Sequence, residues 1–184
     1  MCLCIVLLLC FTACSSFKDA EETAQDIRIG IIAAETIEMK LDLRADYGER
    51  VYDYELLFCG DEKNAELTVL APESIKDFKI KIEDGQTSTE FEGIMLYMGS
   101  IAELSETPAC AAAMLIDSWK SGYITDCKFE NYNGADTTAV TICIDDHRET
   151  RTWFDKATSL PLYSELLCDG KAVVFCSFSE VTYR

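Results

Sequence analysis

Three short apolar runs separated by turn residues fill the last third of the chain, at 150–154, 160–168 and 171–183. The first run is rich in β-branched and aromatic residues, which favour strands. Asp169-Gly170 is typical of a two-residue hairpin turn, because both central positions of that turn need positive φ. Pro161 indicates a strand start or an edge, since proline donates no hydrogen bond to a ladder. Together these features predict an antiparallel meander.

A second set of strands is predicted between residues 36 and 97. Ile37, Met39, Leu41 and Leu43 are separated by charged residues. This two-residue period is typical of a strand with one buried face and one solvated face. Further strand runs follow at 51–58, 65–70, 78–82 and 87–97. We interpret the whole stretch as an up-and-down series of six strands, of which these runs mark five, with 87–97 as the returning run.

Two helices are expected to accompany the strands. Residues 19–32 carry apolar residues near helical spacing, although 28–34 could equally begin a strand. Pro108 fits the first position of a second helix, and Gly122 fits its end. Apolar residues of this segment form one stripe, which we expect to cover the apolar face of the sheet.

Strands resume after the second helix, at 123–132 and 137–144. Asn133-Gly134 between them is the strongest hairpin signal in the chain. Residues 145–148 then form a turn that leads into the closing meander. The predicted order is helix, six strands, helix, five strands, which is an α+β fold.

The charge, histidine and cysteine content restrict the functions open to this chain. The formal net charge is −17, and so acidic a surface repels nucleic acid and anionic headgroups. With His147 as the single histidine, a zinc site is not expected, and no other metal or cofactor is predicted. Six cysteines lie scattered beyond residue 50. They suit either disulfides or buried free thiols, and both readings stay open.

The N-terminus reads as an export signal. Residues 4–13 form an apolar run too short to span a membrane. Phe11-Thr12-Ala13-Cys14 resembles a bacterial lipobox, whose cysteine is lipidated and becomes the first mature residue. An ordinary cleavable signal or an uncleaved anchor is the alternative. We expect a signal peptide at 1–13, a tether at 14–18 and one domain at 19–184, held on the extracytoplasmic face of the cell membrane through Cys14.

The closing meander also carries a family resemblance. A tryptophan strand at Trp153 is followed by Asp155, then by Thr158-Ser159-Leu160-Pro161 and the Asp169-Gly170 hairpin. This pattern resembles the LolA/LolB/RseB-like superfamily of periplasmic lipoprotein carriers and sensors. The resemblance implies a curved antiparallel sheet of about eleven strands, an unclosed barrel wrapped around an N-terminal helix and a central helix. It also implies an apolar cavity on the concave side that accepts acyl chains, and no catalytic set. The arginine with which carriers grip a lipoprotein has no match here.

We therefore predict a monomeric, non-enzymatic binding protein for a lipid or another hydrophobic small molecule. Large apolar side chains on the predicted strands and on the second helix are the candidate ligand contacts: Tyr54, Phe58, Phe78, Leu115, Trp119, Trp153 and Phe175. For any one of them, ordinary core packing is the simpler reading. The alternative function is an envelope sensor that binds a protein partner. An enzyme built on Asp145-Asp146-His147 is disfavoured, because adjacent turn residues rarely converge on one point.

Overall fold

In the described residues the fold comprises one antiparallel sheet of eleven strands, two α-helices and a short 3-10 helix at Glu73–Ile75. We describe it from a computed structural model that covers residues 19–91, 94–100 and 108–184. The predicted signal peptide, Cys14 and the tether lie outside these described residues.

The helices are α1, residues 19–33, and α2, Pro108–Ser121. The first six strands are β1 Ile37–Asp46, β2 Val51–Gly60, β3 Ala65–Ala71, β4 Lys79–Glu83, β5 Gln86–Phe91 and β6 Ile94–Ser100. The last five are β7 Tyr123–Tyr132, β8 Ala135–Cys143, β9 Arg148–Asp155, β10 Pro161–Cys168 and β11 Lys171–Tyr183.

The sheet joins two meanders side by side. Strands β1 to β6 pair in sequence order, as do β7 to β11, and the antiparallel pair β1–β11 connects the two series. Strands β6 and β7 are the two edges, and in the described strands nothing bonds one edge to the other. The sheet is therefore an unclosed barrel, which confirms the predicted fold class.

One face of the sheet packs on the helices, and we call it the inner face. On β1 the residues Ile37, Met39, Leu41 and Leu43 are buried, whereas the residues between them are half-buried or exposed. Helix α1 adds Ile27 and Ile31 to the same core, and α2 adds Leu115 and Trp119. Removing this apolar surface from water stabilises the contact between sheet and helices.

Residues 28–33, which the sequence left open between helix and strand, are helical. Ile27 and Ile31 are buried one turn apart, whereas Ile29 and Ile32 are 63% and 55% exposed. This is a helical period, and α1 continues to residue 33. Among the described residues, neither helix has the length and apolar character needed to cross a membrane.

Two details refine the predicted strands. The run 87–97, expected as one returning strand, is two strands, since β5 ends at Phe91 and β6 begins at Ile94 with antiparallel pairing. Glu92-Gly93 stands at the break, but Glu-Gly is not one of the dipeptides typical of a two-residue hairpin turn, so the pattern did not mark it. Pro161 is the first residue of β10, an interior strand between β9 and β11. The start of a strand is where an interior ladder tolerates proline.

Candidate functional site

The inner side of the barrel is filled where the helices meet β7 to β9. A space of only about 10 Å³ remains there, between α1, Trp119 and Phe154. Trp119 packs edge-on against Phe154 and Phe178, with both ring centroids 5.6 Å away. Its Nε1 donates a hydrogen bond to Thr152 Oγ1 at 2.9 Å. A buried indole with its N–H satisfied is ordinary core packing.

The seven predicted ligand contacts divide among four environments. Phe58, Leu115 and Trp119 are fully buried in the core. Phe78 is partly buried at the margin of that core. Trp153 is buried on the opposite face of the sheet, which we call the outer face. Tyr54 and Phe175 line an open depression.

This depression has a volume of about 690 Å³, within the range of small-molecule sites. Its residues are Asp42, Leu43, Arg44, Asp46, Asp53, Tyr54, Glu55, Ala71, Pro72, Tyr163, Phe175 and Ser177. We call it the outer depression.

Strand register places most of this lining on the outer face. Asp42 and Arg44 alternate with the buried Leu41 and Leu43 of β1. Phe175 lies opposite Arg44, and Ser177 lies opposite both Asp42 and Tyr163. Directly opposed residues share a face. By the same rule Leu43 and Tyr54 belong to the inner face of the sheet, although both also line the depression.

An aromatic cluster fixes one wall of the outer depression. Tyr163 stacks on Tyr132 with centroids 5.1 Å apart and lies 5.6 Å from the Trp153 ring. Trp153 Nε1 donates a hydrogen bond to Glu130. Burial, helped by the negative charge of Glu165, raises the pKa of Tyr163 to about 12. The phenol is therefore neutral at physiological pH.

Carboxylates outnumber cations around the same depression. Arg44 Nη1 lies 3.4 Å from Asp53 Oδ1, and both side chains are largely exposed. Asp46 Oδ1 accepts the Gly48 N–H at 2.9 Å, which closes the turn after β1. Exposed pairs of this kind contribute little to stability.

The Asp145-Asp146-His147 turn does not form a reaction centre. All three side chains are exposed. His147 Nδ1 lies 2.9 Å from Asp169 Oδ1, whereas Asp145 accepts a hydrogen bond from Arg148 Nε at 2.7 Å. That bond and the His147 backbone N–H lower the pKa of Asp145 to about 2. Within the described ranges no three side chains converge as metal ligands, and the six cysteines beyond residue 50 form no disulfide.

Sequence reasoning missed two residues that matter to this architecture. Arg28 of α1 donates from Nε to the Trp119 carbonyl at 2.9 Å and from Nη2 to the Gly122 carbonyl at 2.7 Å. It thereby satisfies free carbonyls at the end of α2. Tyr163 was the second omission. Pairing the predicted 150–154 and 160–168 runs as a hairpin would have set it beside Trp153.

Comparison with solved structures supports the architecture. No family model and no curated protein matches the sequence. A Vibrio parahaemolyticus domain that bears the name outer membrane lipoprotein-sorting protein matches at 10% identity with TM-score 0.53, covering 90% of this chain and 93% of that one. A DUF1329 family protein from Desulfovibrio piger matches at 10% identity with TM-score 0.52, covering 91% and 93%.

A LolA superfamily protein from Nitrosomonas europaea matches at 11% identity with TM-score 0.47, covering 92% and 94%. The two matches with TM-scores above 0.5 show a likeness of fold alone. The strand order, the open edges and the two helices give this chain the fold of the LolA-like superfamily.

Proposed function

We propose that this chain is a lipid-anchored, extracytoplasmic binding protein that holds an apolar small molecule or acyl chain in the outer depression. The depression itself is the observation that carries the proposal. Its volume of about 690 Å³ suits such a ligand, and Tyr163 and Phe175 give it apolar surface. The lipobox-like Cys14 supplies the anchor.

The inner side is packed where the helices meet β7 to β9, so the outer depression is the better of these two sites. An acyl chain could not enter the space of about 10 Å³ beside Trp119 unless the core opened. The outer depression needs no such change. Its aromatic wall is held in place by the stacking of Tyr163 on Tyr132.

Native mass spectrometry of the full chain, purified from its own envelope, tests this proposal directly. We expect a mass that shows diacylglyceryl modification of Cys14 and cleavage before it, together with a bound apolar molecule. A chain that carries neither an acyl modification nor any ligand would contradict the proposal.

A matched pair of variants locates the ligand. Phe175→Ser removes apolar surface from the outer depression and should lower ligand occupancy at least about tenfold, since one buried aromatic contributes roughly 1.5–3 kcal/mol. Tyr123→Ser is the control, because Tyr123 is 76% exposed on β7 and does not line the depression. Equal occupancy in the two variants would place the ligand elsewhere.

A second candidate function, binding of an envelope protein, is favoured by one feature of edge strand β6. Its residues 94–98 are consecutive, large and apolar, and each is at least 43% exposed: Ile94, Met95, Leu96, Tyr97 and Met98. Residues 94–100 carry no charge. Such an edge suits a partner that adds an extended apolar strand.

This candidate is separable from ligand binding. Leu96→Lys places a charge on the edge and should abolish capture of an envelope partner by the full chain, while Tyr123→Lys should not. Retention of the partner by Leu96→Lys would exclude strand addition at β6.

A further inference from the structure

The rim of the outer depression carries an excess of negative charge. Four of its residues are acidic, Asp42, Asp46, Asp53 and Glu55, whereas Arg44 is its one basic residue. Lys40 lies two residues before Asp42 on the same face of β1, and its Nζ is 3.3 Å from Glu55 Oε2. Even with this lysine included, acids outnumber bases.

Two of these acids face each other across neighbouring strands. Asp42 of β1 lies directly opposite Glu55 of β2. Like charges in that relation destabilise a sheet, and Lys40, 3.3 Å from Glu55, offsets this repulsion only on the Glu55 side. The neighbouring pair shows the usual solution, since Arg44 is opposite Asp53. Asp42 has no ion-pair partner among the described residues.

The floor beside these carboxylates is aromatic. Phe175 lies opposite Arg44, and Tyr163 lies opposite Ser177, the β11 neighbour of Asp42. The ring of Tyr163 is fixed by Tyr132 and Trp153 and stays uncharged. Aromatic faces attract cations, most strongly when carboxylates add their charge and the site is partly desolvated.

We propose that the outer depression selects an organic cation, an amine or quaternary ammonium group attached to an apolar body. The cationic group lies between Asp42 and Glu55 and the apolar body lies on Phe175 and Tyr163. This inference rests on the proposed function, because it names the ligand class of the same depression. It adds that the ligand is positively charged.

The test uses the full chain in nanodiscs of an uncharged diglycosyl diacylglycerol, a lipid without an amine or ammonium group that could compete, with empty nanodiscs subtracted. The probes are benzyltrimethylammonium, phenylacetate and benzyl alcohol, which share one ring and differ in charge. Binding is measured by equilibrium dialysis at low and at physiological salt. We expect the cation to bind at least about tenfold more tightly than the other two, and more weakly as salt rises.

Two charge-matched double variants decide where the selectivity arises. Asp42→Asn with Glu55→Gln should lower cation affinity about tenfold and leave benzyl alcohol unchanged. Glu22→Gln with Asp126→Asn removes the same charge from exposed positions on α1 and β7, and should change little. All four substitutions keep side-chain shape. The first pair removes a like-charge contact together with the partly exposed Lys40–Glu55 ion pair, which contributes little, so folding is preserved.

Each outcome is decisive. Equal binding of the three probes, or absence of binding, overturns the inference. So does an equal loss in the two double variants, which would show that the general acidity of the chain attracts the cation. None of these results touches the anchor or the co-purified ligand, so the proposed function is judged separately by the native mass spectrum.

Discussion

Trp119 is the residue on which the contact between α2 and the sheet depends most. It is 1% exposed and packs against Phe154 and Phe178. Its indole N–H donates a hydrogen bond to Thr152 Oγ1. Trp119→Ala should lower the free energy of unfolding by about 3–5 kcal/mol, because it leaves a large cavity. Urea denaturation measures this loss.

The matched control for that substitution is Tyr123→Ala. Tyr123 is 76% exposed, so its truncation should change the free energy of unfolding by less than about 0.5 kcal/mol. Similar losses in the two variants would mean that Trp119 is not a core residue.

Cys176 makes stability sensitive to alkaline pH. Burial raises the pKa of its thiol to about 12, whereas a thiol in the unfolded chain ionises near about 8.5. Above the unfolded pKa the unfolded chain has lost this proton and the folded chain keeps it. The contribution is therefore present in full below about pH 8.5 and is lost progressively towards pH 12.

A Cys176→Ala variant isolates this contribution from those of other groups. With a reducing agent present, its free energy of unfolding should fall less steeply between about pH 9 and 12 than that of the parent chain, by up to about 1.4 kcal/mol per pH unit. Parallel curves for the two proteins would show that the thiol ionises in the folded state.

At the scale of elements, two glycines differ in how much space a side chain would find around them. Gly122 joins α2 to β7, and a Cβ there would lie 2.7 Å from the Ser118 carbonyl oxygen and clash with Ile142. Gly30 lies inside α1 with nothing within 4 Å of such a Cβ. Gly122→Ala should therefore cost about 1–3 kcal/mol, whereas Gly30→Ala should stabilise by about 0.5–1 kcal/mol.

Thermal unfolding of the two variants beside the parent chain measures both effects. Opposite shifts are expected, and the Gly122→Ala shift should exceed the other in size. A stable Gly122→Ala protein would mean that the end of α2 moves freely away from β8, which the hydrogen bonds from Arg28 oppose.

The elements themselves were largely predictable, because each depends on a local pattern. Alternation on β1, the hairpin dipeptides Asn133-Gly134 and Asp169-Gly170, and the Pro108–Gly122 bounds all gave elements at the right places. Asn133 and Asp169 each adopt a φ of 50°, as that turn requires. The division of 87–97 into β5 and β6 was not predictable from the pattern, since both halves are equally strand-like.

At the scale of the molecule, the site was only partly predictable. Alternation assigns residues to the same or opposite faces, but it does not say which face the helices leave open. Phe58, Trp119 and Phe175 were therefore chosen together, although the first two are core residues and the third lines the outer depression. Recognising the depression requires the register that sets Asp42 opposite both Glu55 and Ser177, and register is a long-range property.

The net charge of −17 makes the stability of the whole molecule depend on salt. Repulsion among unpaired acids destabilises the compact state, and added ions screen it. Raising NaCl from about 10 to 200 mM should raise the Tm by roughly 2–6 °C. Salt also weakens ion pairs, but exposed pairs such as Arg44–Asp53 contribute little, so screening of the repulsion prevails.

The Glu22→Gln, Asp126→Asn double variant checks this balance, because it removes two negative charges from exposed positions without touching an ion pair found in the described structure. Its Tm at low salt should exceed that of the parent chain, and its rise with NaCl should be smaller, since less repulsion remains to be screened. A Tm that falls with salt in the parent chain would show the opposite balance. Ion pairs such as Lys120–Glu62, the most buried of the set, would then outweigh the repulsion across the surface.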